Sequence, residues 1–100
     1  MAMTKTNKSI IYAKSVTTTV TLFLNKSKSR KSLILFNNDA AGADTAFLLT
    51  RKNQVYTEGI PIPPQTALFS GDFDPQGEFW IAADANTVDL RVWEVLEVNE

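Results

Sequence analysis

The sequence predicts a single all-β domain, an antiparallel β-sandwich or jelly-roll-like barrel of about seven to eight strands. Three observations carry that prediction. Apolar residues recur with period two and nowhere with period 3.6. Short apolar runs follow one another at intervals of about 8–12 residues. Clusters of Gly, Pro, Asn and Asp punctuate the intervals. One hundred residues provide for one core, since two would each be too small to stand unaided.

Each element has its own justification. Residues 1–8 are polar and basic and read as a flexible arm, leaving 9–100 as the sandwich domain. Ser9-Ile10-Ile11-Tyr12 is a weak first strand. From Val16 to Leu24 the even positions Val16, Val20, Leu22 and Leu24 are apolar, and Thr17, Thr19 and Thr21 occupy the other parity. That alternation predicts one continuous strand with a core face and a wet face. Leu33-Ile34-Leu35-Phe36 is unbroken and predicts a central strand buried on both sides.

Ala46–Leu49 and Gln54–Thr57 flank Arg51-Lys52-Asn53 as a tight hairpin. Gly59-Ile60-Pro61-Ile62-Pro63-Pro64 cannot lie in mid-sheet, because three prolines remove three ladder donors. It should run extended along an edge or cross between sheets. Thr66–Phe69 and Phe79–Ala83 are strands around the turn at Asp74-Pro75-Gln76-Gly77. Val88, Leu90, Val92, Leu96 and Val98 share one parity of a last strand, with Trp93 and Val95 on the other. Both faces turn apolar toward its end, which predicts a cover over the second face.

Composition narrows the chemistry. With no Cys there is no disulfide and no thiolate metal site, and with no His the usual acid/base group near neutral pH is missing. No cofactor is expected, and no metal. Asp72, Asp74, Glu78 and Asp84 could supply a catalytic carboxylate pair or a calcium loop. A small sandwich offers little room for the cleft that a catalytic pair needs, and the calcium spacing lacks its third ligand and has Ala83 at the twelfth place. A solvated turn explains these carboxylates better. The four glycines are dispersed, so there is no phosphate loop. An enzyme is not expected.

Charge is segregated along the chain. Lys5, Lys8, Lys14, Lys26, Lys28, Arg30 and Lys31 fall within residues 1–32, which hold no carboxylate; the remainder sets three cations against eleven carboxylates. Such asymmetry fits solvated loops and edge strands, or mutual docking of subunits. The basic stretch Lys26–Lys31 could contact phosphate, but an acidic remainder and few nearby aromatics argue against nucleic acid. The polar start lacks a secretory apolar core, and no apolar run reaches the ~20 residues that cross a bilayer. Synthesis in a cytoplasm and no membrane partner are therefore expected. For a protein interface the candidate residues are Lys26, Lys28, Arg30, Lys31, Ile60, Pro61 and Trp93, since Trp and Arg are favoured there.

Several segments together resemble small structural proteins of tailed-phage virions. These are Arg30-Lys31-Ser32-Leu33-Ile34-Leu35-Phe36-Asn37-Asn38-Asp39, Gly59-Ile60-Pro61-Ile62-Pro63, Trp80-Ile81-Ala82-Ala83 and Leu90-Arg91-Val92-Trp93-Glu94. The resemblance spans about residues 30–97. It implies a β-sandwich that decorates or cements a capsid, or sits on the tail as an accessory. The implied partners are the major capsid protein or other virion proteins, and the implied location is the virion. Docking of basic on acidic surfaces further suggests a homo-oligomer, with a trimeric ring as the expectation. Two other classes remain open: a carbohydrate-binding module using Trp93 or Tyr56, and a regulatory binding protein with no virion role.

Overall fold

The structure is a computed structural model that describes residues 5–70 and 75–99. Eight strands form: β1 (Lys5–Val16), β2 (Thr21–Leu24), β3 (Arg30–Asn37), β4 (Ala46–Leu49), β5 (Ile60–Ile62), β6 (Ala67–Phe69), β7 (Phe79–Ala83) and β8 (Val88–Asn99). A single 3-10 turn, Tyr56–Glu58, precedes β5. The strands make two four-stranded antiparallel sheets, ordered β1-β8-β3-β6 and β2-β7-β4-β5. First pairs with last, second with seventh, third with sixth and fourth with fifth. That nesting is one long antiparallel hairpin rolled over itself, which is the jelly-roll form of the predicted sandwich.

Alternation supplies the core. Leu33 and Leu35 of β3, Val88, Leu90 and Val92 of β8, and Val16 of β1 point inward from the first sheet. Phe23, Leu24, Leu48, Ile62, Phe79 and Ile81 meet them from the second. Buried Asn37 closes the core at one end. Its Nδ2 donates to the carbonyls of Ile62 at 2.9 Å and Asp44 at 3.0 Å, while its Oδ1 accepts from Asp39 N–H. The polar atoms of this side chain are thereby satisfied without water, as burial demands.

Four expectations change. Val16–Leu24 is not one strand: β1 ends at Val16, residues 17–20 cross between sheets, and β2 starts at Thr21. The Thr17 carbonyl accepts from Ala83 N–H at 2.8 Å during the crossing. A register shift in β2 then buries Phe23 beside Leu24 and leaves Leu22 exposed, so Leu24 keeps its expected core position while Leu22 and Phe23 exchange theirs. Gln54–Thr57 is not a strand, because bonds from Glu58 N–H to Val55 O and from Gly59 N–H to Tyr56 O close it locally.

Residues 5–8 are not an arm. They pair with Leu96–Asn99 as the first part of β1, and residues 1–4 lie outside the described segments. Leu33 and Leu35 are fully buried, but Ile34 and Phe36 are only half covered, so β3 is interior to its sheet with one face partly open. The proline-rich segment does what its missing donors require: Ile60–Ile62 is the edge strand of the second sheet, and the chain then crosses to β6.

The two outward faces differ. Over the second sheet, the β4–β5 connection folds back as a roof, with Tyr56 edge-on to Phe47 at 5.2 Å between ring centroids. Gly59 seats it: a Cβ there would lie 2.7 Å from Leu48 O and 2.7 Å from Leu49 Cδ2. Because a backbone oxygen cannot swing aside, Gly59→Ala should destabilise the domain by about 1–3 kcal/mol. Chemical denaturation would check this, and an unchanged midpoint would show that the roof is not seated by this contact.

Candidate interaction surface

The outward face of the first sheet has no such roof among the described residues. Side chains of one strand alternate between faces, and directly paired residues share a face. Pairing of Ile11 with Trp93, Trp93 with Ile34, and Ile34 with Phe69 therefore sets these four side chains in one row. The row crosses all four strands. Three of its members are conspicuously open: Ile11 at 68%, Phe69 at 57% and Trp93 at 42% exposure. Ala13, Arg91, Phe36 and Ala67 form the next row on one side. Ser9, Val95 and Ser32 form the next on the other.

Charge borders this apolar belt at both ends. On one side Arg91 grips Asp89 with two bonds, Nε to Oδ1 at 3.2 Å and Nη2 to Oδ2 at 3.0 Å. Asn38 Nδ2 also donates to Asp89. The Arg91 bond, then that of Asn38, holds the Asp89 carboxyl below its usual range. At the opposite border Glu97 stands between Lys5 and Lys31, with both Nζ atoms at 3.7 Å. An apolar centre with a polar rim is the anatomy of a protein-docking surface.

The residues expected to form an interface do not come together. Trp93 is at the centre of the belt. Ile60 and Pro61 are exposed, but on the edge strand of the other sheet. Lys26 and Lys28 are exposed in the β2–β3 loop, and Lys31 is engaged with Glu97 at the rim. Arg30 is unavailable, being only 4% exposed. Its Nε bonds Glu94 at 3.0 Å, Nη1 bonds the Pro75 carbonyl at 2.9 Å, and Nη2 bonds the Asn25 carbonyl at 3.0 Å.

Arg30 is thus a staple closing the sandwich end opposite Asn37, not a contact for partners. Part of the charge segregation is consumed inside the chain in the same way, as Lys5, Arg30 and Lys31 all pair with Glu94 or Glu97 of β8. Ile11, Ile34 and Phe69 were missing from the sequence-derived set. Their alternation was visible, but the registers that align them belong to strands distant in sequence.

Other candidates have structural employment. Tyr56 is packed on Phe47 and is not presented as a sugar platform. Trp80 is half-buried, and its Nε1 donates to Glu78. Asp84 accepts from the Thr45 backbone, while Asp72 and Asp74 lie outside the described residues. Lys14 crosses the cleft between β1 and β2, donating to the Phe23 carbonyl at 2.7 Å with its Nζ 4.9 Å from the centre of the Phe23 ring.

Two measurements test this assignment. Removing the staple by Arg30→Ala strands Glu94, only 12% exposed, without a cation, which should cost about 3–5 kcal/mol. Loss of less than about 1 kcal/mol in urea unfolding would contradict the staple. Tyr12 provides the second. Burial, and then the charge of Glu94, raise its phenol above the ordinary value of 10.0, with Arg30 opposing. A raised acid binds its proton more tightly when folded, so this stabilisation is complete below about pH 10 and is lost as pH climbs through the folded value. Tyr12→Phe should flatten that alkaline decline relative to the parent, measured by thermal melts; parallel declines would refute the linkage.

No family model matches the chain, and no curated protein is similar to it. Among solved structures, it is similar to a chain of the structure described as "Bacillus endospore appendages form a novel family of disulfide-linked pili". The two share 12% identity at a TM-score of 0.46, over 96% of this chain and 92% of that one.

Proposed function

We propose that this chain is a non-enzymatic structural protein that works by holding on to other proteins, and that its grip is the outward face of the first sheet. The observation that supports this reading is the Ile11–Trp93–Ile34–Phe69 row, in which Ile11, Trp93 and Phe69 stand exposed, whereas Tyr56 packs over Phe47 on the second sheet. Leaving large apolar groups in water forgoes roughly 25 cal/mol for each Å² that a partner could cover. A central Trp with apolar neighbours and an Arg at the rim has the composition of an interface hot spot.

The finer version of the proposal follows the virion resemblance: a decoration or cement protein on a phage head, bound to the major capsid protein or its neighbours. A rigid sandwich repeated over a lattice could hold such a surface through many contacts of modest strength. The experiment is incorporation into purified particles, quantified by mass spectrometry. Trp93→Ala should lower occupancy by about tenfold or more while far-ultraviolet circular dichroism is unchanged. Particles without the parent polypeptide would remove the virion reading. Normal occupancy of the variant would remove the face from it.

A further inference from the structure

We propose that the cleft between β1 and β2 binds a short-chain carboxylic acid as its anion, with Lys14 holding the carboxylate and the open flank of the core seating the tail. The site stands apart from the docking face, since Lys14 lies on the inward parity of β1 and Ile11 on the outward one. The cleft is a consequence of the crossover. β1 ends at Val16 in the first sheet, β2 begins at Thr21 in the second, and each is the edge strand of its sheet. A cavity of about 110 Å³ remains between these two edges. Burial sorts its lining. Val16, Phe23 and Ile81 are buried and form the floor, whereas Lys14, Thr17 and Thr21 are exposed and form the mouth.

Lys14 is held across that mouth. Its Nζ donates to the Phe23 carbonyl at 2.7 Å and lies 4.9 Å from the centre of the Phe23 ring. The register shift in β2 skips Phe23, which has no partner in the ladder with β7. A lysine that only guards an edge extends into water. This one is bent back over an apolar floor, and its acceptor is neutral. An ammonium has three N–H groups, so two remain for further acceptors. Among the described residues no carboxylate pairs with Lys14, whereas Lys5, Arg30, Lys31, Arg51 and Arg91 each have one. The carboxylate beside it in the ladder, Asp89 opposite Ser15, lies on the outward parity and is bonded to Arg91 and Asn38. An unmatched cation above an apolar pocket, with hydroxyls at the rim, is complementary to an anion that carries a hydrocarbon tail. Volume sets the tail. A cavity of about 150 Å³ accepts benzene, so the smaller one here suits an unbranched chain of about three carbons behind the carboxylate. So few atoms bind weakly, with a dissociation constant of about 1–10 mM.

Titration of the full chain with sodium butyrate, followed by amide nuclear magnetic resonance against sodium chloride at equal ionic strength, tests the proposal. The expected result is saturable shifts at the amides of Val16, Thr17, Phe23 and Ile81, with Trp93 unmoved. Acetate lacks the tail and should bind about tenfold more weakly, because two buried methylenes are lost. 1-Butanol keeps the tail without the charge and should also bind about tenfold more weakly. Lys14→Gln should weaken butyrate by about tenfold or more while the dispersed spectrum of the folded chain is retained. Lys14→Arg keeps the charge and should stay within about threefold of the parent.

Shifts that butyrate and chloride produce alike, or none that saturate, would overturn the proposal. Acetate binding as tightly as butyrate would show an ammonium at work without the cavity, and 1-butanol binding as tightly would show the cavity without the ammonium; either sinks it. Undiminished binding by Lys14→Gln does the same. The docking role is not engaged by any of these outcomes, since Trp93→Ala should lower particle occupancy and leave butyrate binding unchanged.

Discussion

Strand β8 is hydrogen-bonded on both sides, to β1 over twelve pairs and to β3 across its middle. Both long registers of the first sheet are therefore fixed by one strand. Its inward parity gives Val88, Leu90 and Val92 to the core, and its outward parity gives Trp93 to the open belt. A slip of one residue would exchange these sets, sending Trp93 and Arg91 inward and the three aliphatics to water. The core and the exposed apolar belt are two consequences of the same register. That register is fixed by core burial, because three fully buried aliphatics outweigh what one half-exposed Trp could gain by turning inward.

Both ends of the sandwich are closed by buried polar groups rather than by apolar plugs. Asn37 and Arg30 terminate the two ends of β3, and each reaches backbone carbonyls contributed by distant parts of the chain. A loop whose carbonyls are already bonded to a fixed side chain has less freedom to open. An uncharged staple suffices at Asn37, where only backbone groups are satisfied. At the other end Glu94 faces inward, and its charge must be matched, which is what the guanidinium does.

Alternation made much of this legible in sequence. The strands of Phe79–Ala83 and Val88–Asn99, the edge position of Ile60–Ile62 and the sandwich class all follow from period two and proline chemistry. Period two does not report where a strand changes sheet, so Val16 and Leu24 seemed to share one face although they belong to opposite walls. Nor does charge report its partner. Arg30 carries the same sign as Lys26 and Lys28 but is buried by pairing with Glu94, 64 positions away. Trp93 could be singled out alone because it breaks a polar parity. Ile11, Ile34 and Phe69 could not, since their alignment needs three registers between strands remote in sequence.

The edges of both sheets are built against strand addition. A jelly roll leaves four edge strands, here β1 and β6 in the first sheet and β2 and β5 in the second. Unpaired backbone on an edge invites an additional strand from another molecule. β6 has three residues and β2 has four, too short to template much pairing. β5 carries Pro61 at its centre, which has no N–H to offer. β1 is long, but Lys5, Lys8 and Lys14 punctuate it with no carboxylate among them, so two such edges would repel. Ile60 and Pro61 thus guard an edge although their exposure resembles that of an interface. With every edge blunted, what the apolar belt around Trp93 presents to its surroundings is side chains rather than unpaired backbone.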